Sequence, residues 1–129
     1  MITAEKIEKT ALRNLLHNED YTRKVLPFLK PEYFEDRNER VVFSEIQKFI
    51  SQYNKRPTKE TLQIDLGKRK DLNEDEYKKI VDLISSLNPQ EVDLEWLVNT
   101  TEKFCKDRAV HNAVMEGIHI IDGKDKKHT

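Results

Sequence analysis

Histidines, one cysteine and a glycine–lysine spacing are the features of this sequence that could take part in chemistry. The 129 residues include four histidines, His17, His111, His119 and His128. Metal sites typically use ligands at spacings such as i and i+4, supported by Cys or carboxylate. His111 and His119 are about two helical turns apart, so one ion cannot bridge them. The sequence therefore predicts no metal site.

Cys105 and His111 are the pair that could act as nucleophile and base. They are six residues apart on a predicted helix, which is about 240° of rotation, so the two side chains face different ways. A single cysteine also cannot form an internal disulfide, and a reducing compartment fits it best. We predict that Cys105 is a small core residue rather than a catalytic group.

The segment Gly117–Lys124 resembles a phosphate-binding loop only superficially. Such a loop has four residues between its glycines, a Ser or Thr after the lysine, and a strand before it. Here five residues separate Gly117 from Gly123, Asp125 follows Lys124, and a helix precedes the segment. The sequence predicts no nucleotide site, no cofactor and no catalytic residue, although a helical enzyme with an unrecognised site remains a minor alternative.

Helices must position all of these residues. With only 3 glycines and 4 prolines, the apolar spacing is helical almost throughout. Thr3, Asn18 or Asp20, Thr58, Asn73 and Asp93 are predicted helix caps, and Glu76 completes a capping box with Asn73. A further helix is predicted over about Arg37–Asn54. The sequence therefore predicts an all-α fold, a compact bundle of about six helices.

Apolar and aromatic residues at helical spacing indicate the core of this bundle. The predicted core residues are Leu15, Tyr33, Phe34, Val42, Ile46, Phe49, Trp96 and Phe104. Tyr33 and Phe34 could also stack on nucleic-acid bases, but no basic cluster surrounds them, which favours the core.

The last predicted helix is apolar on more sides than the other helices can cover. Residues 1–92 are predicted to form a helical head, 93–121 a long helix, and 122–129 a flexible charged tail. We expect no later segment to pack on the long helix. An exposed apolar stripe of this size is typical of an association site. The predicted interface residues are Val110, Ala113, Val114, Ile118 and Ile121.

Charge and hydropathy exclude several classes of function. Charged residues make up 36% of the chain but the net charge is only −1, and the basic run Lys68–Lys70 is followed at once by acids. Strong direct DNA binding is therefore not expected, because it requires a basic face. No stretch approaches the length of a signal peptide's apolar region or of a membrane span. We expect a soluble cytoplasmic protein.

Several stretches together resemble the N-terminal domain of DnaB-type replicative helicases. They are Leu12–Leu16, Tyr33-Phe34, Arg37-Asn38-Glu39-Arg40-Val41-Val42-Phe43, Arg56-Pro57-Thr58 with Leu62 and Leu66, and Asp107-Arg108-Ala109-Val110. The block Asp93–Val114, with Trp96-Leu97-Val98 and Thr101-Glu102-Lys103, is most similar to the helicases of T-even-like bacteriophages. The resemblance covers about Ala11 to Met115.

This resemblance implies a non-catalytic collar domain in a hexameric ring that takes part in DNA replication. The partners it implies are other helicase subunits and primase, in the cytoplasm of the host bacterium. The last helix would be the first arm of a helical hairpin, with residues 124–129 at its tip. ATP and magnesium would belong to a separate motor domain outside this chain. The alternative from another class is a self-contained small helical protein that binds nucleic acid or regulates a partner.

Overall fold

Six α-helices and one short 3-10 turn make up the computed structural model, which describes the backbone of residues 6–127 and the side chains of residues 6–119. The helices, labelled α1 to α6 in chain order, are Ile7–His17, Glu19–Val25, Arg37–Tyr53, Lys59–Gly67, Glu74–Ser86 and Leu94–Lys127, and the 3-10 turn is Pro31–Tyr33. Over the described residues no strand is formed. The all-α prediction is confirmed.

Side-chain caps define where most of these helices begin. The predicted caps Asn18, Thr58, Asn73 and Asp93 all accept a hydrogen bond from a backbone N–H in the first turn of the helix that follows. Asp36 caps α3 in the same way, accepting from the amide of Asn38, and was not predicted. The predicted cap Thr3 lies outside the described residues, and α1 begins at Ile7.

Two helix ends were also indicated by the sequence. Helix α2 ends at Val25, two residues before Pro27, as expected for a residue that cannot continue the backbone hydrogen bonds. Helix α3 ends at Tyr53, and Asn54 adopts the left-handed conformation with φ of 55°. Asparagine tolerates this region better than most residues, so Asn54 turns the chain toward Pro57.

The core lies where α1, α3 and α5 meet the short elements between them. Leu15, Phe34, Val42 and Ile46, all predicted to be core, are completely buried, and Tyr33 is 8% exposed. The rings of Phe34 and Phe43 stack with centroids 5.0 Å apart. The stacking of Phe34 on Phe43 holds the segment after the 3-10 turn against α3. Because Tyr33 and Phe34 are both buried, neither ring is available to stack on a nucleic-acid base.

Three predicted core residues are less buried than expected. Phe104 is partly buried, and its ring forms a T-shaped contact with that of Phe34, with ring centroids 6.4 Å apart. Phe49 is also partly buried and packs on the exposed ring of Tyr53, with centroids 4.7 Å apart. Trp96 is 56% exposed, so its assignment to the core was wrong. Its neighbour Leu97 is the residue of this turn that faces the body.

Helix α6 is longer than the sequence predicted. Its backbone continues past Ile121 through Lys127, into the segment expected to be a flexible tail. The segment Gly117–Lys124 therefore lies within a helix and has no loop geometry. In the part of the chain that the structure describes, none of the helices combines the length and apolar character that a membrane crossing requires.

Candidate interaction surface on helix α6

The first half of α6 is anchored to the body of the domain through one face. This inner face consists of Leu97, Thr101, Cys105, Arg108 and Asn112, spaced three or four residues apart. Leu97 and Thr101 are fully buried and Cys105 is 6% exposed. The elements that meet this half of α6 are α1, α2 and the 3-10 turn.

Polar contacts fix the rotation of α6 about its axis. The hydroxyl groups of Tyr21 and Thr101 form a buried hydrogen bond of 2.8 Å between α2 and α6. Burial raises the pKa of the Tyr21 hydroxyl well above its usual value, so this phenol stays neutral and keeps its proton for the bond. Because a rotated helix would leave both hydroxyls unpaired in the core, the bond specifies which face of α6 points inward.

Arg108 and Asn112 make the last hydrogen bonds from the described part of α6 to the body. The guanidinium of Arg108 donates to the Glu35 carboxylate at 2.8 Å, and the Asn112 amide donates to the backbone oxygen of Glu32 at 3.2 Å. Glu32 lies within the 3-10 turn and Glu35 follows it by two residues. Beyond Asn112, Met115 and His119 line only a shallow groove next to Pro31.

The opposite side of α6 is apolar and uncovered. Val110, Val114 and Ile118 are 65%, 56% and 46% exposed, and Ala113 is exposed beside them. At 100° per residue, Val110 lies about 180° from the middle of the inner face, and Ala113 and Val114 lie within about 60° of that direction. Ile118 lies to the side, about 100° from the middle of the inner face. We call this group of four residues the outer face. The structure thus places four of the five predicted interface residues together at the surface, and the side chain of the fifth, Ile121, lies outside the described residues.

Trp96 is the surface residue that sequence reasoning missed. It precedes Val114 by eighteen residues, about five full helical turns, so both side chains project from the same side of α6. This spacing could have been read from the sequence. A tryptophan in an amphipathic helix is usually buried, however, and this general tendency favours a place in the core.

The structure keeps apart the two side chains of this region that could act as nucleophile and base, Cys105 and His111. Burial, with a smaller effect from Glu102, raises the pKa of the Cys105 thiol to about 11, so the thiol is neutral at physiological pH and is not an activated nucleophile. His111 is exposed and belongs to a different side of the helix from Cys105. Among the described residues no three His, Cys, Asp or Glu side chains converge on a possible metal position.

Comparison with known proteins agrees with this architecture. A model of the DnaB-like helicase N-terminal domain family matches residues 2–100. The DnaB-like replicative helicase of Enterobacteria phage T4 is 33% identical to this chain over 109 residues. The aligned part covers 84% of this chain and 23% of that relative, so the chain spans less than a quarter of the relative's length.

Proposed function

The chain belongs to the DnaB-like helicase N-terminal domain family, and we propose that it is a non-catalytic collar module through which replicative helicase subunits assemble. The observation that carries this proposal is the uncovered outer face of α6, on the far side of the helix from its anchoring residues. In this role the chain supplies binding surface, and a motor domain outside it supplies ATP hydrolysis with magnesium.

The energetics of α6 support assembly through this helix. Among the described residues, Asn112 makes the last hydrogen bond from α6 to the body, and beyond it Met115 and His119 line a shallow groove beside Pro31. Short helical segments that are not packed against other elements are only marginally stable in water. Full burial of one Val or Ile side chain contributes roughly 1.5–3 kcal/mol, so covering the outer face would stabilise both the contact and the helix. We propose that a second subunit packs on the outer face.

The family also suggests where such a module operates. A replicative helicase acts beside primase at a replication fork, and we propose that the collar contacts primase in the cytoplasm of a bacterial host. The net charge of −1 supports a role in protein contacts rather than in direct DNA binding, because phosphate neutralisation requires an excess of basic residues.

Replacing Val114 by Asp tests the proposal. Val114 is 56% exposed, so the domain can accept the carboxylate without unfolding, whereas an interface would have to bury an unpaired charge at a cost of several kcal/mol. We expect the mass of the wild-type chain, measured by light scattering over a concentration series, to rise above that of the monomer. The V114D variant should stay monomeric and keep its helical circular dichroism.

Ile64 provides a matched control for this experiment. It is 54% exposed on α4, so Ile64→Asp makes the same chemical change at a site remote from α6. We expect I64D to associate like the wild type. Equal loss of association in both variants would show nonspecific apolar contact, and undiminished association of V114D would exclude the outer face as the interface.

A further inference from the structure

A groove between α2 and α3 lies on a part of the domain that the proposed function does not use. Both helices pack on α1, and the groove between them has a volume of about 750 Å³. Its described lining residues fall within 19–27, which cover α2 and the turn after it, and within 47–56, which cover the end of α3 and the loop that follows. We call this feature the α2–α3 groove.

Three features hold the loop after α3 in place beside the groove. Asn54 turns the chain in the left-handed conformation, and Pro57 is buried. The Nη1 atom of Arg56 donates to the backbone oxygen of Leu16, near the end of α1, at a distance of 2.9 Å. Because these contacts already order Arg56, binding a ligand to it costs less conformational entropy than binding one to a mobile side chain.

The guanidinium of Arg56 keeps one edge available for a ligand. Among the described residues, the Leu16 oxygen is the one acceptor that it contacts, so Nε and Nη2 make no hydrogen bond within that part of the chain. A guanidinium edge with two donors matches a carboxylate or phosphate group through two parallel hydrogen bonds. Arg56 is therefore suited to an anionic ligand.

The charged residues of the lining also favour an anion. Glu19 is the acid among the described lining residues, and it pairs with Arg23 at 3.2 Å. Lys55 is exposed and forms no ion pair with another described residue. Lys55 and Arg56 therefore give the groove a positive charge, although the chain as a whole has a net charge of −1. An acidic ligand would supply the charge complementarity that directs association to this site.

Apolar side chains in the same groove favour a peptide over a nucleic acid. Leu26 and Ile50 are partly buried and pack on the core, and Pro27 is exposed. Such a surface can bury an apolar side chain of a ligand. Single-stranded nucleic acid would instead need an aromatic ring on which a base can stack, and the exposed ring of Tyr53 packs on Phe49 and does not line the groove. The lining therefore fits a peptide that combines carboxylates with apolar side chains.

We propose that the α2–α3 groove binds an acidic segment of a partner protein, in which one carboxylate occupies the free edge of Arg56 and a neighbouring apolar side chain packs on Leu26 and Ile50. Lys55 attracts a second carboxylate of the same segment. The inference goes beyond the proposed function and does not depend on it, because the described lining residues lie on α2, on α3 and on the segments that follow them.

A synthetic peptide provides the first test. The probe is a short fluorescein-labelled peptide in which Asp and Glu alternate with Leu and Phe, and fluorescence anisotropy measures its binding to the full chain. We expect saturable binding that weakens by about tenfold or more when the acids are replaced by Asn and Gln. A comparable loss is expected when Leu and Phe are replaced by Ser. Equal binding of all three peptides would overturn the proposal.

Charge reversal at Lys55 locates the binding site. Because Lys55 is exposed and forms no ion pair among the described residues, Lys55→Glu should fold normally, which circular dichroism checks, and should bind the peptide about tenfold more weakly. Lys79→Glu is the matched control, since it makes the same change in net charge at an exposed position of α5, and it should bind like the wild type. Equal losses in the two variants would indicate unspecific attraction by net charge and would overturn the proposal.

Arg56→Lys tests the carboxylate contact itself. This variant keeps the positive charge but lacks the two parallel donors, so we expect it to bind the peptide several-fold more weakly than the wild type. Binding with wild-type affinity would mean that charge alone is sufficient, and it would contradict the role assigned to Arg56.

Two further measurements separate this inference from a nucleic-acid site and from the proposed function. An oligo(dT) strand of similar length that bound more tightly than the peptide, and lost affinity in Lys55→Glu, would identify nucleic-acid phosphate as the ligand and overturn the proposal. V114D should bind the peptide like the wild type, and loss of binding in V114D would place the site on α6. In amide NMR spectra the peptide should shift resonances of residues 47–56. Shifts confined to α6, or no saturable binding, would also overturn the proposal.

Discussion

The hydrogen bond between Tyr21 and Thr101 is the polar contact that most directly sets the rotation of α6. We expect Tyr21→Phe to reduce the free energy of unfolding by about 1–3 kcal/mol, because the buried Thr101 hydroxyl is left without its partner. The double variant Tyr21→Phe/Thr101→Val removes both hydroxyl groups. Its loss of unfolding free energy should be smaller than the sum of the losses in the two single variants. Urea unfolding of the four proteins measures this coupling, and simple additivity would contradict it.

Trp96 and Thr101 show why individual positions on α6 could not all be predicted. Hydrophobicity alone assigns tryptophan to the core and threonine to the surface, yet Trp96 is 56% exposed and Thr101, which shares the helical spacing of Leu97 and Cys105, is fully buried. Thr101 can be buried because Tyr21, eighty residues away in sequence, supplies a hydrogen bond. The sequence around Thr101 does not include Tyr21, so local patterns cannot predict this hydrogen bond. The residues of the compact head, such as Leu15, Val42 and Ile46, were predictable because apolar residues surround them on every side.

Helix α5 depends on a capping box that the sequence predicts in full. The side chain of Asn73 accepts from the Glu76 amide at 2.8 Å, and the Glu76 carboxylate accepts from the Asn73 amide at 3.2 Å. We expect Asn73→Ala to lower the free energy of unfolding by about 1 kcal/mol, measured by urea denaturation. Glu76→Gln keeps a side-chain acceptor for the box and removes only the charge that pairs with Arg37, so it should cost less. A larger loss in Glu76→Gln than in Asn73→Ala would mean that the ion pair with Arg37 contributes more than the cap, and would contradict this prediction.

Helix starts were more predictable than helix ends in this chain. A cap such as Asn73 or Thr58 acts on amides two or three residues away, so its signal is local. The end of α6 was placed at Ile121, but the helix continues to Lys127, where no proline interrupts it. Fraying at a helix end is decided by small differences in propensity and by the dipole, which residue type alone does not resolve.

At the scale of the whole molecule, the sequence indicated the fold class and the surplus apolar surface but not how the two are related. Helical spacing and the scarcity of glycine and proline were sufficient for the all-α prediction. The sequence indicated the candidate interface because Val110, Val114 and Ile118 add apolar surface that the other helices cannot bury. Only the placement of α6 against α1, α2 and the 3-10 turn shows that Val110 and Val114 lie on the side of α6 away from the body.

This geometry makes the stability of distal α6 depend on association. Asn112 makes the last hydrogen bond from the described part of α6 to the body, so in a monomer we expect the amides of Ala113–His119 to exchange with solvent faster than those of Leu97–Arg108. Pairing of two copies would cover Val114 and Ile118, and hydrogen exchange followed by mass spectrometry should then slow by about tenfold or more with rising concentration. The V114D variant should exchange rapidly at every concentration. Slow, concentration-independent exchange in both proteins would mean that distal α6 is stable by itself, and the energetic argument for its association would then fail.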